Sequence, residues 1–112
     1  MKKGRFIEIN FPNWKEEVYN GLIILDFWAE WCSACNVQDK FYKDLLNKFP
    51  EKLKIGKINV SDNKLLTEKF RVKNIPYLIL FNEGEEIARM EGLESTEYLV
   101  RLIEKELETI EK

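Results

Sequence analysis

The chain has 112 residues, enough for a single domain with its own core, and its 45% apolar and 12% aromatic content is that of a globular protein rather than a disordered one. A net charge of −2 supplies no basic field to attract nucleic acid or an anionic membrane. No segment approaches the roughly 20 apolar residues that span a bilayer, and the basic start Met1-Lys2-Lys3-Gly4-Arg5 runs into a stretch broken by Glu8, Asn10 and Pro12, so neither a membrane span nor a secretory signal peptide is expected.

Residues 6–9 alternate apolar and polar like a short half-buried strand, and Pro12 closes it. Asn13 can cap a short helix over residues 14–20, ended by Gly21. Leu22-Ile23-Ile24-Leu25-Asp26-Phe27-Trp28 is a continuous apolar run with one acid inside it, the pattern of a central strand. After Trp31-Cys32-Ser33-Ala34-Cys35, the residues Val37, Phe41 and Leu45 recur every four positions. Tyr42, Leu46 and Phe49 widen that helical stripe, and Pro50 stops it. Residues 53–60 form a third strand on Ile55, Ile58 and Val60. Ser61-Asp62-Asn63 then offers caps for a short helix through Leu65, Leu66 and Phe70. Asn74-Ile75-Pro76 signals a turn, and residues 77–81 a strongly apolar strand. Residues 82–85 read as a hairpin turn and 86–91 as an edge strand that pairs back. Gly92 breaks this strand, and Ser95 caps a last helix carrying Leu99, Leu102, Ile103, Leu107 and Ile110. The order β-α-β-α-β-α-β-β-α predicts an α/β domain over residues 1–112. Its mixed sheet would be parallel where helices cross over and antiparallel at one edge, with helices on both faces. Phe27, Tyr77 and Phe81 are assigned to its core.

Cys32 and Cys35 are the only cysteines, and there is no histidine. At a helix start, residues i and i+3 lie about 5–6 Å apart, which is disulfide-bonding distance. Free backbone N–H groups there favour a thiolate at the first sulfur. A pair that can both bond and ionise is suited to redox chemistry. Two cysteines are too few for a disulfide scaffold, and zinc needs about four ligands. No metal or bound cofactor is therefore expected, and the cytoplasm is the expected compartment. Asp26 is a lone carboxylate in an apolar strand, costly to bury when charged, so its pKa should be raised.

In Asp26-Phe27-Trp28-Ala29-Glu30-Trp31-Cys32 with Cys35, in Lys57, in Ile75-Pro76, in the Gly84 turn and in Gly92, the chain resembles the thioredoxin family along nearly its whole length. The resemblance implies the thioredoxin fold, a central mixed five-stranded sheet flanked by four helices, with Pro76 cis beside the cysteines. It implies a thiol–disulfide oxidoreductase that reduces protein disulfides. Cys32 would attack a client disulfide and Cys35 would resolve the mixed disulfide. Asp26 would be the general acid/base for Cys35, with Lys57 as its partner. Trp31, Ile75, Pro76 and Gly92 would form a small docking surface on which a client peptide pairs in β fashion. Disulfide-containing client proteins and a thioredoxin-reductase-like electron donor are the implied partners of a monomeric carrier. Two rival readings are a specialised relative that serves one client or one reductase, and a binding module on the same fold whose cysteines are redox-silent.

The chain departs from the family pattern between the cysteines, where Ser33-Ala34 replaces Gly-Pro, and at Asn36, Lys40 and Asn74, where lysine, a kinking proline and glycine are usual. Without proline at position 40 the helix is expected to run straighter. Ala34 restores a backbone N–H that proline lacks, and the Ser33 hydroxyl adds a donor near Cys32. A hydrogen bond to a charged group contributes roughly 1.5–3 kcal/mol and 30 mV corresponds to about 1.4 kcal/mol, so one such bond to the thiolate raises the potential by roughly 30–60 mV. The expected potential is thus above about −270 mV, the thioredoxin value. Equilibration with glutathione measures it, and a value at or below that figure rejects the idea.

Overall fold

The computed structural model describes residues 6–110. Along the chain come β1 (Phe6–Glu8), α1 (Trp14–Val18), β2 (Leu22–Trp28), α2 (Ser33–Lys48), β3 (Leu53–Asn59), α3 (Lys64–Lys69), β4 (Tyr77–Asn82), β5 (Glu85–Glu91) and α4 (Thr96–Ile110). The five strands form one sheet in the order β1-β3-β2-β4-β5. β3 is parallel to both β1 and β2, whereas β4 is antiparallel to β2 and to β5. This is the predicted thioredoxin fold.

The period of two along β2 separates the core into layers. Leu22 and Ile24 join Leu53, Ile55, Leu78 and Leu80 beneath Tyr42, Leu45 and Leu46 of α2 and Leu99 and Ile103 of α4. Ile23, Leu25 and Phe27 face the other way, toward Trp14 and Val18 of α1 and Leu66 of α3. Both faces of β2 are covered, which explains its uninterrupted apolar run. The β4–β5 hairpin turns on Glu83 (φ 49°) and Gly84 (φ 87°), consistent with a tight two-residue loop in which both central residues are left-handed. Phe27 and Phe81 are buried as expected, while Tyr77 is half-buried and its hydroxyl lies 3.5 Å from Arg89.

The structure corrects three local expectations. α1 ends at Val18, and Asn13 does not cap it: the Asn13 amide instead donates to Glu8 O and accepts from Asn10 N, tying the loop to the end of β1. Asn63 likewise precedes α3 without a side-chain cap, whereas Ser95 Oγ does accept from Tyr98 N at the start of α4. Along α2 the buried stripe is Cys35, Gln38, Tyr42, Leu45 and Leu46, while Val37 is exposed and Phe41 half-buried. The helix is rotated from the expected Val37–Phe41 face because Gln38 occupies a core position with both ends of its amide satisfied. It runs from Ser33 to Lys48 without a break at Lys40.

Gly56 faces the α1/α3 layer, where a Cβ would lie 2.8 Å from Ile9 Cγ1, 3.0 Å from Ile23 Cδ1 and 3.1 Å from Leu25 Cδ2. The absent side chain lets these three close over β3. Gly56→Ala should destabilise the fold by about 1–3 kcal/mol through overpacking. Urea denaturation measures the change, and an unaltered midpoint and slope would show that the layer has room.

Candidate active site

β2 runs out of the sheet at Trp28 and delivers the chain to the first turn of α2. Cys32 is the N-cap of that helix, with extended dihedrals (φ −94°, ψ 102°), and its Sγ accepts the backbone N–H of Cys35 at 3.2 Å. A sulfur here takes the place of the usual Ser or Asp capping oxygen. Cys32 and Cys35 are joined as a disulfide, with Cα atoms 5.3 Å apart. Cys35 is sealed from solvent at 1% exposure, while Trp31 on the other side of Cys32 stands out at 74%.

Asp26 sits in the middle of β2 with no exposed surface. Strand register sets it opposite Lys57 of β3 on one side and the apolar Leu78 of β4 on the other. Its two oxygens are met separately. Tyr42 Oη donates to Oδ1 at 2.8 Å, and Lys57 Nζ forms an ion pair with Oδ2 at 2.7 Å. Lys57 also pairs with Asp39 Oδ1. Its ammonium lies 5.3 Å from the ring centres of Phe6 and Trp28 and 5.7 Å from that of Tyr42, close enough for cation–π attraction. Burial raises the Asp26 carboxyl above its ordinary value, as the sequence suggested; Lys57 and the Tyr42 hydrogen bond pull the other way, and Asp39 adds a smaller upward push. Burial and the neighbouring Asp26 hold the Tyr42 phenol well above its own ordinary value, so it remains a donor. An open cavity of about 470 Å3 lies against Lys57 and Trp28 and is lined also by Glu8, Glu30 and Asp62.

The remaining predicted residues gather at the same end of the sheet. Phe27 is paired with Tyr77, so the start of β4, immediately after Pro76, lies beside the end of β2. The Ile75–Pro76 peptide is cis. Gly92 N donates to Pro76 O at 2.9 Å, joining the loop after β5 to the proline. Ile75 and Gly92 are half-exposed, and Leu93 beside them is exposed. Gln38 of α2 reaches this loop, its Oε1 accepting from Glu94 N at 2.8 Å and its Nε2 donating to Glu94 O at 2.9 Å.

Apolar periodicity places Tyr42 on the buried face but gives no sign of its hydrogen bond to Asp26, and Gln38 and Asp39 escape it altogether because it puts Val37 and Phe41 on that face instead. One signal was available: Cys35, Asp39 and Tyr42 stand at i, i+4 and i+7, a single helical stripe that starts at the buried cysteine.

The sequence profile of the family described as "Thioredoxin" matches residues 5–105. The chain belongs to the thioredoxin family. It is 39% identical over 97 residues to a thioredoxin of Chlamydia pneumoniae, covering 87% of this chain and 94% of the relative. It is 32% identical over 101 residues to a thioredoxin of Staphylococcus saprophyticus, covering 90% and 97%. Among solved structures, a single-residue mutant of a thioredoxin from Halobacterium salinarum superimposes with a TM-score of 0.83 at 25% identity, over 94% of this chain and 93% of that one. As a thioredoxin-family protein with a closed Cys-x-x-Cys pair, it is a thiol–disulfide oxidoreductase that reduces protein disulfides. Thioredoxins act on disulfide-containing substrates and are themselves reduced by a reductase. Among the described residues, no helix is long and apolar enough to cross a membrane.

The raised Asp26 carboxyl has a consequence for stability. Between its ordinary value of 3.8 and its higher folded value, the folded chain holds a proton that the unfolded chain has lost. Stability therefore falls as pH rises through that window and then levels off. Asp26→Asn removes this titration and leaves Lys57 with Asp39 as its partner, so its stability relative to the oxidised parent should rise with pH through the window, by about 1.4 kcal/mol for each pH unit the window spans, and the gain should fade as pH falls toward 4. Urea denaturation at acid and mildly alkaline pH checks this; an equal difference at both would detach the effect from ionisation.

Proposed function

We propose that this protein reduces client disulfides with Cys32 as the attacking sulfur, Cys35 as the resolving one and Asp26 as the proton acceptor for Cys35. The observation that carries this is the position of Cys32 Sγ as the N-cap acceptor of the Cys35 N–H. Once the disulfide opens, the same N–H and the helix dipole stabilise the Cys32 thiolate.

The Cys32 thiolate attacks one sulfur of a client disulfide. A bond forms between Cys32 and that sulfur, the client S–S bond breaks, and the second client sulfur leaves as a thiolate that takes up a proton. Asp26, as a carboxylate, then accepts the Cys35 proton, directly or through one water. Cys35 attacks Cys32 Sγ, the mixed disulfide breaks, and the first client sulfur leaves as a thiolate that takes up a proton in its turn, while Asp26 gives up the proton it took from Cys35 to that sulfur or to water. The client gains two electrons and two protons, and this protein is left as the disulfide seen in the structure. Lys57 holds the Asp26 charge between steps, supported by their ion pair. Trp31, Ile75, Pro76 and Gly92 serve as the docking surface, supported by the exposure of Trp31 and the hydrogen bond that joins Gly92 to Pro76. That one copy of the chain carries every group in this scheme supports a monomeric working form. Its place is a reducing compartment, the cytoplasm, where a thioredoxin-reductase-like donor returns the pair to the dithiol.

Reduction of insulin disulfides with dithiothreitol as electron source tests the assignment. Cys32→Ser should abolish the acceleration, and Cys35→Ser should accumulate a mixed disulfide with the client, visible by mass spectrometry. A Cys32→Ser variant as fast as the parent would overturn it. Turnover with NADPH and a general thioredoxin reductase identifies the electron donor, and no turnover there would reject a general reductase as the partner.

A further inference from the structure

Cys35, Asp39 and Tyr42 form one stripe of α2, and Asp39 and Tyr42 of that stripe contact the Asp26–Lys57 pair of β2 and β3. Tyr42 contacts one Asp26 oxygen and Lys57 the other, and Lys57 is shared with Asp39. The lysine is held at its head by two carboxylates and three aromatic rings, and its side chain is only 13% exposed against 33% for Asp39. Two acids thus compete for one cation, and one of them also has a phenol of its own.

We propose that Asp39 and Tyr42 are positioning residues that act on Asp26 in opposite directions and together set the pH at which it takes the proton of Cys35. This rests on the assignment of Asp26 as the Cys35 proton acceptor. Asp39 draws on the Lys57 charge and adds a negative charge of its own, so it makes the Asp26 anion less stable and a stronger base. Tyr42 donates to the anion and makes it a weaker one. The groups acting on Asp26 are Lys57 from β3 and Tyr42 and Asp39 from α2. β4 contributes the apolar Leu78 opposite it, β1 contributes Phe6 against Lys57 and Tyr42, and the acids Glu8, Glu30 and Asp62 line the open cavity against Lys57. Tyr42 stays protonated and so acts on Asp26 only as a donor.

The oxidised protein isolates the effect, since neither cysteine titrates in it. The Asp26 side-chain carboxyl carbon is followed by 13C NMR through a pH titration of the parent, Asp39→Asn and Tyr42→Phe. Both substitutions preserve volume and shape. Asp39→Asn should move the Asp26 midpoint to lower pH and Tyr42→Phe to higher pH, each by about one pH unit, the scale of a hydrogen bond or close charge on an ionised group. In the reduced protein, the limb of the insulin-reduction pH–rate profile that disappears in Asp26→Asn should shift in the same two directions. Midpoints unmoved in both variants, or moved in the same direction, overturn the inference while a limb lost in Asp26→Asn leaves the Asp26 assignment standing. A limb that survives Asp26→Asn overturns the assignment, and the inference with it.

Discussion

A carboxylate without water, set in the middle of a sheet, is the constraint on which this structure turns. Asp26 can be held there only if each oxygen meets a partner, because a buried acid left alone costs several kcal/mol. Those partners come from different elements, and each fixes the placement of its own. Lys57 reaches Oδ2 only while β3 stays in register with β2. A slip of one residue would turn Lys57 to the α1/α3 face and strand the acid, so charge adds to the apolar pattern in specifying the register of the central strands. Tyr42 reaches Oδ1 only if α2 is rotated to present it.

That rotation brings the rest of the helix with it. With Tyr42 over Asp26, the residue one turn earlier is Gln38, a polar side chain at a core position, and its amide is satisfied by the backbone of Glu94. Two turns back is Cys35, placed inward as the more deeply buried member of the disulfide, 1% exposed against 7% for Cys32. The buried acid, the inward cysteine and the contact between helix and loop are three results of one helix orientation. The electrostatics follow from the same geometry: burial lifts the Asp26 carboxyl, and Lys57 and Tyr42 restrain the lift without cancelling it.

Much of this was legible in the residues. The apolar runs of β2 and β4 are long because both of their faces are covered, and such runs survive without any knowledge of neighbours. The cysteine spacing and the acid inside β2 carry chemistry that composition alone makes conspicuous. The failures share a cause. Asn13 has the side chain of a cap, yet the nearby end of β1 competes for it and wins. Val37 and Phe41 outrank Gln38 in hydrophobicity, yet the helix faces its neighbours by where its polar groups are satisfied. Periodicity measures affinity for an apolar interior and is silent on a buried amide or phenol whose partner lies 16 or 56 positions away. Asp39 is the limiting case: half-exposed, charged and on a helix, it is indistinguishable in sequence from a solvated residue until Lys57 is seen beneath it.

The two hydrogen bonds between Gln38 and Glu94 also bear on how a client would meet the sulfur in the proposed scheme. They fasten the loop that follows Gly92 to α2, the helix that Cys32 caps. In the proposed scheme, a polypeptide resting on that loop would meet the helix start in a set orientation, with less rotational freedom left to lose before the sulfurs align. Under the proposed docking, part of the entropy of alignment would be met when the chain folds rather than at each encounter, through a single buried amide.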